Sequence, residues 1–258
     1  ERIIEIHNGD QNQIEIVFDT ADKVIVEAPA GCGKTKTMIS KIAYMLITNY
    51  IESTKKILAL TFSVNASYKI KKDVSEQLPN IIKCDYNEAY RQTDKIVVSN
   101  YHGFCRKILA KYGFFIVEGN INFNTITAIQ GTDKNLKEYG IDGEKLGFFK
   151  DFEDRIKIND QKYIQDNYLK YNEYVKKYLL VNQKITYNAI ILLTYELLIK
   201  NKIIKNFYQK FFPIVFIDEF QDTNCIAWML IKEIIGKSTK AILMGDSLQR
   251  IYGFIGAV

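Results

Sequence analysis

The stretch Val24–Thr35 reads VIVEAPAGCGKT and decides the fold. Its apolar run predicts a buried strand, its glycines predict a turn, and Lys34 and Thr35 open a helix. A loop of this kind points backbone N–H groups and a helix N-terminus into one concavity, which suits the oxygens of a di- or triphosphate. We therefore expect Lys34 to reach the β- and γ-phosphates and Thr35 to hold Mg²⁺ through its hydroxyl.

One position departs from the strict pattern G-x-x-x-x-G-K-[ST]. Ala28 stands where the first glycine belongs, and it fits if its φ is negative. The alternative is a glycine-rich turn before an ordinary helix. The apolar run before the loop and the helical pattern after it favour the phosphate loop.

Composition limits the class of protein. The chain has 258 residues, 47% of them hydrophobic, which is enough for one large domain or two of ordinary size. No run of 18 apolar residues occurs and residues 1–5 do not resemble a signal peptide, so we expect a soluble, cytoplasmic protein without a membrane partner. The four cysteines lack C-x-x-C spacing, which argues against a zinc site or a disulfide frame.

The net charge of +5 is unevenly distributed. Residues 105–205 carry 17 Lys and Arg against 12 Asp and Glu, while the rest of the chain is balanced. A basic surplus is consistent with a polyanionic partner. Solvated helical faces have the same composition, so both interpretations stay open.

Alternating strands and helices predict a parallel α/β sheet. Further buried strands are expected at 57–60, 96–98, 214–217 and 241–244. A helix should begin at Asp10, Ser63 should cap another, and residues 77–93 have the composition of a loop.

Residues 104–208 have a mostly helical pattern. We expect them to form an inserted subdomain, with domain boundaries at 1–104 plus 206–258 for the α/β domain and 105–205 for the insertion. The tyrosine- and lysine-rich run 163–178 is either a contact surface for a polyanionic partner or, as we favour, a set of packed tyrosines with solvated lysines.

Two adjacent carboxylates follow the apolar strand at 214–217. A phosphate-loop enzyme needs such a pair: Asp218 would hold the Mg²⁺ that Thr35 also touches, and Glu219 would orient and deprotonate a water. The alternative is a solvated pair at the start of a helix, where carboxylates favour the positive end of the dipole. A phosphate loop on the same sheet favours the catalytic interpretation.

Five motifs in this order resemble those of UvrD/Rep/PcrA-type superfamily 1A DNA helicases. They are APAGCGKT at 28–35, LTFS at 60–63, NYHG at 100–103, DEFQDTN at 218–224 and GDSLQRIYGFIGA at 245–257. The resemblance implies a RecA-like P-loop NTPase domain with the helical insertion, which is the first motor domain of such an enzyme. It also implies ATP and Mg²⁺ as cofactors, and as partners single-stranded DNA and a second RecA-like domain in the full-length protein. Duplex DNA is a further partner that the resemblance leaves open.

The resemblance also implies roles for individual residues. Glu219, Asp218, Lys34 and Gln249 would be catalytic, with Gln249 sensing the γ-phosphate. The nucleotide would be bound by Gln13 and Lys36 at the adenine, and by the loop and helix residues Ala30, Gly31, Cys32, Gly33, Lys34 and Thr35. Phe62, Tyr101, His102 and Phe254 match positions that face single-stranded DNA, where aromatic rings stack on bases. Each aromatic residue has the alternative of being part of the core.

Two rival functions stay open, and two departures from the family pattern support the second of them. Val64 and Asn65 stand where the family usually has Asn-Lys, and Ile255 stands where it has arginine, which weakens the expected coupling to DNA. The rivals are a phosphate-loop kinase or small NTPase, and a nucleotide-gated DNA-binding module without catalysis. In this family the arginine fingers, which stabilise charge on the phosphoryl group during ATP hydrolysis, come from the second motor domain. We therefore expect residues 1–258 alone to hydrolyse ATP very slowly.

Overall fold

The structure, a computed structural model, describes residues 2–83, 85–119 and 121–246, and they divide into two compact units. The sheet unit comprises residues 2–83, 85–100, 207–221 and 235–246. The helical unit comprises residues 101–119, 121–206 and 222–234. The domain boundaries at 104/105 and 205/206 rest on the change to a helical pattern in the sequence, and they stay a prediction.

Five parallel strands form the sheet of the sheet unit, in the order β1-β7-β6-β2-β3. A second, two-stranded parallel sheet, β4-β5, belongs to the helical unit. The strands are β1 (Lys23–Glu27), β2 (Ile57–Thr61), β3 (Ile96–Asn100), β4 (Thr127–Ile129), β5 (Lys184–Thr186), β6 (Ile214–Asp218) and β7 (Lys240–Gly245). The α/β class with a parallel sheet is confirmed, whereas β4 and β5 are too short to be predicted.

Twelve α-helices lie among the described residues. They are α1 (Arg2–Ile6), α2 (Gln11–Phe18), α3 (Lys34–Ile47), α4 (Val64–Ile82), α5 (Tyr86–Asp94), α6 (Tyr101–Tyr112), α7 (Asp133–Glu138), α8 (Gly143–Lys157), α9 (Gln161–Tyr174), α10 (Tyr187–Lys200), α11 (Lys202–Phe211) and α12 (Cys225–Ile234). A π-helical turn, Val175–Leu179, continues α9. The expected cap of α4 is present, since Ser63 accepts from the N–H of Ala66. Asp10 also caps α2, where it accepts from the N–H of Gln13.

The parallel register brings the carboxyl ends of the strands to one edge of the sheet. Glu27 of β1 lies beside Gly245 of β7, and Asp218 of β6 lies beside Met244. β2 and β6 are buried along their whole length, so the polar chain that follows each strand begins where the core ends. In open parallel sheets ligands bind at this edge.

The expectation that residues 77–93 form a loop is wrong. α4 continues to Ile82 with Pro79 inside it, and α5 begins at Tyr86. Leu78 and Ile81 are buried at 1% and 7% exposure, and they continue the apolar face of α4. Their burial outweighs the hydrogen bond that the proline removes.

The core of the helical unit forms around α10, which packs against α6, α9 and α12. The tyrosine-rich run contributes to this core, since the Tyr171 ring is fully buried and stacks on Phe152 with centroids 4.3 Å apart. Lys170 and Lys177 are exposed, but Lys176 pairs with the buried Glu196 at 2.6 Å. The packing interpretation of the tyrosines therefore fits the structure, except that Lys176 is not simply solvated.

Candidate nucleotide-binding site

The loop between β1 and α3 adopts the backbone conformation that its glycines favour. Gly31 and Gly33 have φ values of 82° and 77°, in the left-handed region. A Cβ on Gly31 would meet no atom within 4 Å, so glycine is needed there for conformation and not for space. Ala28 is not among the residues with positive φ, as its fit to the pattern requires. Its N–H donates to the Gly245 carbonyl at 3.0 Å, which anchors the loop to the end of β7.

The Lys34 side chain reaches back across its own loop. Its Nζ donates to the carbonyl oxygens of Ala28 at 2.8 Å and Pro29 at 3.4 Å. The ammonium group is also close enough to Asp218 to lower the pKa of that carboxyl. Thr35 follows in the first turn of α3 and is half-buried. The Lys34 ammonium group thus hydrogen-bonds its own loop and also acts electrostatically on the carboxylate at the end of β6.

Asp218 is a buried carboxylate with an unfavourable charge. It is 6% exposed, and burial, followed by the negative charge of Glu219, raises its pKa to about 6. The positive charges of Lys34 and Lys69 act in the opposite direction and do not outweigh burial. The surroundings of Asp218 disfavour its ionised form, and a bound cation would stabilise that form.

Glu219 is held by the residue two positions after it. Its φ of 52° is positive, a conformation that costs free energy in a non-glycine residue. Gln221 Nε2 donates to Glu219 Oε2 at 2.5 Å, and Gln221 Oε1 accepts from the Asp246 N–H at 3.0 Å. A Cβ on Gly245 would lie 2.2 Å from Gln221 Oε1, so glycine is needed there for space. Gln221 therefore fixes the Glu219 carboxylate against the end of β7.

The donor set at this edge suits Mg²⁺. In the part of the chain that the structure describes, no group of three or more His, Cys, Asp and Glu side chains could hold a metal ion. Mg²⁺ does not need one, because it commonly binds through one or two protein oxygens while waters and phosphate oxygens complete its shell. Thr35 and Asp218 offer a hydroxyl and a buried carboxylate, which fit this requirement.

Gln13 lies against the phosphate loop. Its Nε2 donates to Asp10 Oδ2 at 2.8 Å and to the Cys32 carbonyl at 3.2 Å. A Cβ on Gly33 would approach Gln13 Nε2 to 3.1 Å. Lys36 has a different neighbour, because its Nζ donates to the Ile6 carbonyl at 2.5 Å. Of the two residues expected at the adenine, the structure brings Gln13 to the loop and directs Lys36 to the end of α1.

Two residues that sequence reasoning missed tie α2 to α3. His7 is 3% exposed and hydrogen-bonds both Gln13 and Ser40. Lys41 is 2% exposed, and its Nζ donates to the carbonyls of Ile16 and Asp19, each at 2.8 Å, so it caps the C-terminal end of α2. Burial lowers the pKa of Lys41. A lone histidine before a helix and one lysine within a helix carry no spacing signal, so the sequence could not identify these contacts.

The residues expected to face DNA differ in their surroundings. Phe62, directly after β2, is half-buried. Tyr101 is only 2% exposed, and its hydroxyl lies 3.0 Å from Thr223 Oγ1. This placement corrects the expectation that Tyr101 faces DNA, because an enclosed ring has no free face for a base.

His102 is also largely enclosed. Its ring packs edge-on against Tyr187 with centroids 5.6 Å apart, and its buried Nε2 has no hydrogen-bond partner among the described residues. Burial, with a smaller contribution from Arg106, lowers its pKa to about 4. His102 is therefore neutral at pH 7 and offers no positive charge to a phosphate. Gln249 and Phe254 lie outside the described residues.

A family model and individual relatives of known name point to the same family of helicases. The family described as UvrD/REP helicase N-terminal domain matches residues 9–258. The chain is 29% identical over 265 residues to the ATP-dependent DNA helicase PcrA of Bacillus subtilis (strain 168), covering 95% of this chain and 33% of the relative. It is 28% identical over 273 residues to a probable DNA helicase II homolog of Rickettsia conorii, covering 98% and 39%. The chain thus spans between a third and two fifths of the length of these relatives.

Over the described residues, none of the helices has the length and apolar character needed to span a bilayer.

Proposed function

Because the chain belongs to the UvrD/REP helicase N-terminal domain family, we propose that it is the Mg-ATP-binding and DNA-binding motor part of an ATP-dependent DNA helicase. One observation carries the proposal. The phosphate loop, Lys34 and the Asp218-Glu219 pair lie at the same edge of one parallel sheet, and the charge of Lys34 acts on Asp218.

The residues at this edge have separate tasks in the proposed reaction. The loop N–H groups and Lys34 bind the phosphates, which neutralises their charge and fixes their position. Thr35 and Asp218 hold Mg²⁺, which when bound stabilises negative charge on the phosphate oxygens. Glu219 Oε1 or Oε2 accepts a proton from the attacking water.

Gln221 supports the general base. Its amide already bonds Glu219 Oε2 and the backbone of Asp246, so it holds the carboxylate at a defined distance from the end of β7. In this proposal Gln249, which lies after β7 in the sequence, senses the γ-phosphate. A change of state at the nucleotide then reaches the segment after β7 through Gln221.

DNA binding is proposed for two aromatic residues. Phe62 is half-buried at the sheet edge and matches a position of the family that faces DNA, and Phe254 matches a second such position. Stacking on bases is sequence-tolerant, which suits an enzyme that moves along any strand. We also propose that residues 105–205 are the inserted subdomain and residues 1–104 with 206–258 the motor domain.

Residues 1–258 by themselves should turn over ATP slowly. An arginine finger supplies roughly 10³–10⁵ in the rate of phosphoryl transfer. The sequence contains five arginines, of which Arg250 alone belongs to an ATP-site motif. In the proposal the finger and the opposing wall of the cleft come from a second motor domain, because a cleft that closes on ATP needs two bodies.

The experiment that tests the proposed function compares wild type with Glu219→Gln in the full-length protein. The variant should keep its ATP affinity and lose roughly 10²–10⁴-fold of its DNA-stimulated ATP turnover, since the amide cannot accept the proton. Thermal unfolding of both proteins controls for loss of structure.

Two results of this comparison would argue against helicase chemistry. Equal turnover of the two proteins would remove Glu219 from the reaction. Turnover that is indifferent to single-stranded DNA, but increases with a small-molecule phosphate acceptor, would favour the phosphate-loop kinase.

A further inference from the structure

His7 is the residue that links the proposed adenine reader to the helix of the phosphate loop. Its ring is 3% exposed, in the turn between α1 and α2. Nδ1 lies 2.5 Å from Gln13 Oε1, and Nε2 lies 2.9 Å from Ser40 Oγ. Ser40 is fully buried in the middle of α3. Gln13 is thus joined through one imidazole ring to the same helix that Lys34 opens.

The neighbours of Gln13 determine how its amide is oriented. Asp10 Oδ2 and the Cys32 carbonyl, at 2.8 and 3.2 Å, are both acceptors, so the NH₂ group must face them. The carbonyl Oε1 consequently faces His7, and an oxygen can only accept. Nδ1 of His7 must therefore carry a proton. In the neutral ring Nε2 is then bare and accepts from the Ser40 hydroxyl.

We propose that His7 is a positioning residue that holds the Gln13 amide in the orientation that selects adenine over guanine. This inference rests on the proposed function and on the role that the family resemblance implies for Gln13, which is to meet the adenine base. A Gln amide recognises adenine by accepting from N6 and donating to N7. Oε1 has a second lone pair for N6, and the longer bond, to Cys32, is the one that N7 replaces.

The fixed amide rejects guanine for a simple reason. Guanine has an acceptor, O6, where adenine has its N6 amine, so a fixed Oε1 faces an oxygen. A freely rotating amide would turn its NH₂ group to O6 and recover a hydrogen bond. His7 and Asp10 hold the two ends of the amide and oppose that rotation.

The test is the ratio of ATP to GTP affinity, measured by calorimetry with Mg²⁺ on the chain and its variants. His7→Asn keeps a donor near the position of Nδ1 and should keep the wild-type ratio. His7→Gln is of similar size but extends towards Ser40, and should lower the ratio by about 3–10-fold, the equivalent of one neutral hydrogen bond. Gln13→Ala should remove the preference, and Ser40→Ala should change it less than His7→Gln does.

The outcomes separate the two proposals. Equal ratios in His7→Asn and His7→Gln would overturn the role of His7 and leave ATP binding standing. A preference for ATP that survives Gln13→Ala would overturn base reading by Gln13 and with it the role of His7. Wild-type protein that binds neither nucleotide would overturn the proposed function itself.

A measurement on the unmodified chain keeps the inference testable if the variants do not fold. The sequence has two histidines, so long-range ¹H–¹⁵N spectra resolve both rings, and His7→Asn or a selective label assigns them. We expect a proton on Nδ1 of His7. A His7 ring with an unprotonated Nδ1 contradicts the inference, because it could not donate to Gln13.

Discussion

Each unit contains a buried carboxylate, and the two have opposite pKa shifts. Asp218 in the sheet unit is 6% exposed, and burial raises its pKa to about 6. Glu196 in the helical unit is 1% exposed, and burial acts on it in the same direction. Hydrogen bonds from Lys176 and Lys200, with Asn172, outweigh burial and lower its pKa.

Under the proposed function, Glu196 has a structural role and Asp218 a ligand-binding one. Glu196 is complete within its own unit, with two lysine ammonium groups at 2.6 and 2.7 Å. Two cations, Lys34 and Lys69, act on Asp218 without outweighing burial, and the hydrogen bonds of Lys34 go to its own loop. The residue after Asp218 is the strained Glu219. Protein groups that are left electrostatically incomplete beside a cradle of N–H donors are typical of ligand sites.

The largest effect should come from Lys34→Ala. Removing the cation that meets the phosphates should lower ATP affinity on the order of 100-fold or more, since charge-assisted hydrogen bonds are the strong ones. Calorimetric titration with Mg-ATP measures this. Lys176→Ala is the matched control: it removes a lysine paired with a buried carboxylate in the other unit and should leave ATP affinity unchanged. Equal ATP affinities of wild type and Lys34→Ala would contradict the assignment of the loop between β1 and α3 as the phosphate-binding loop.

Glu196→Gln should have the largest effect on stability. The variant leaves Lys176 and Lys200 without the carboxylate that they share, and loss of hydrogen bonds to a charged group costs about 1.5–3 kcal/mol. Urea unfolding monitored by circular dichroism gives the free energy of unfolding. A change below ~0.5 kcal/mol, the size expected for an exposed pair, would mean that the cluster is solvated.

Asp218→Asn should act in the opposite direction when no nucleotide is present. The folded pKa of about 6 lies above the ordinary aspartate value of 3.8, so ionisation of Asp218 destabilises the fold at pH values above 6. The penalty fades as the pH falls towards 3.8. At pH 7.5 the variant should be more stable than wild type by about 1–3 kcal/mol.

The pH dependence provides the control for that prediction. The difference in unfolding free energy between Asp218→Asn and wild type should shrink when both are measured at pH 4.5. A variant that is less stable at pH 7.5, or a difference that does not change with pH, would show that Asp218 is stabilised within the protein as Glu196 is.

The smallest predicted effect concerns the aromatic rings. Phe62→Ala should weaken single-stranded DNA binding by roughly 1–3 kcal/mol, and by a similar amount for oligonucleotides of different composition. Phe115→Ala is the comparison from the helical unit, at a residue that is 55% exposed and matches none of the DNA-facing positions, and it should change DNA affinity little. Fluorescence anisotropy distinguishes them. Unchanged affinity in Phe62→Ala would make this ring a structural residue.

The sheet unit was more predictable than the helical unit. Its strands are continuous apolar runs, and the polar residues after them, Lys34 and Asp218 among them, stand where parallel strands end. The residues of the candidate site can therefore be recognised from short stretches of sequence in which a strand passes into a loop. The α/β sheet and the edge that carries the candidate site follow from such signals.

The features that the sequence did not predict depend on packing between distant segments. Pro79 signals a loop locally, but the burial of Leu78 and Ile81 keeps α4 helical. Tyr101 matches a DNA-facing motif position, and only the packing of the helical unit shows that its ring is enclosed. His7 acquires its role from contacts with Gln13 and Ser40, which lies 33 positions away.

The most direct test of the account is the Mg²⁺ dependence of ATP binding in wild type and Asp218→Asn. Calorimetry with ATP, once with MgCl₂ and once with EDTA, gives four affinities, and Glu196→Gln, held well below its unfolding temperature, serves as the carboxylate control. The account predicts that Mg²⁺ strengthens ATP binding in wild type and in Glu196→Gln but not in Asp218→Asn. Equal Mg²⁺ dependence in Asp218→Asn and wild type would contradict it, because the buried carboxylate with the raised pKa would then have no metal to hold.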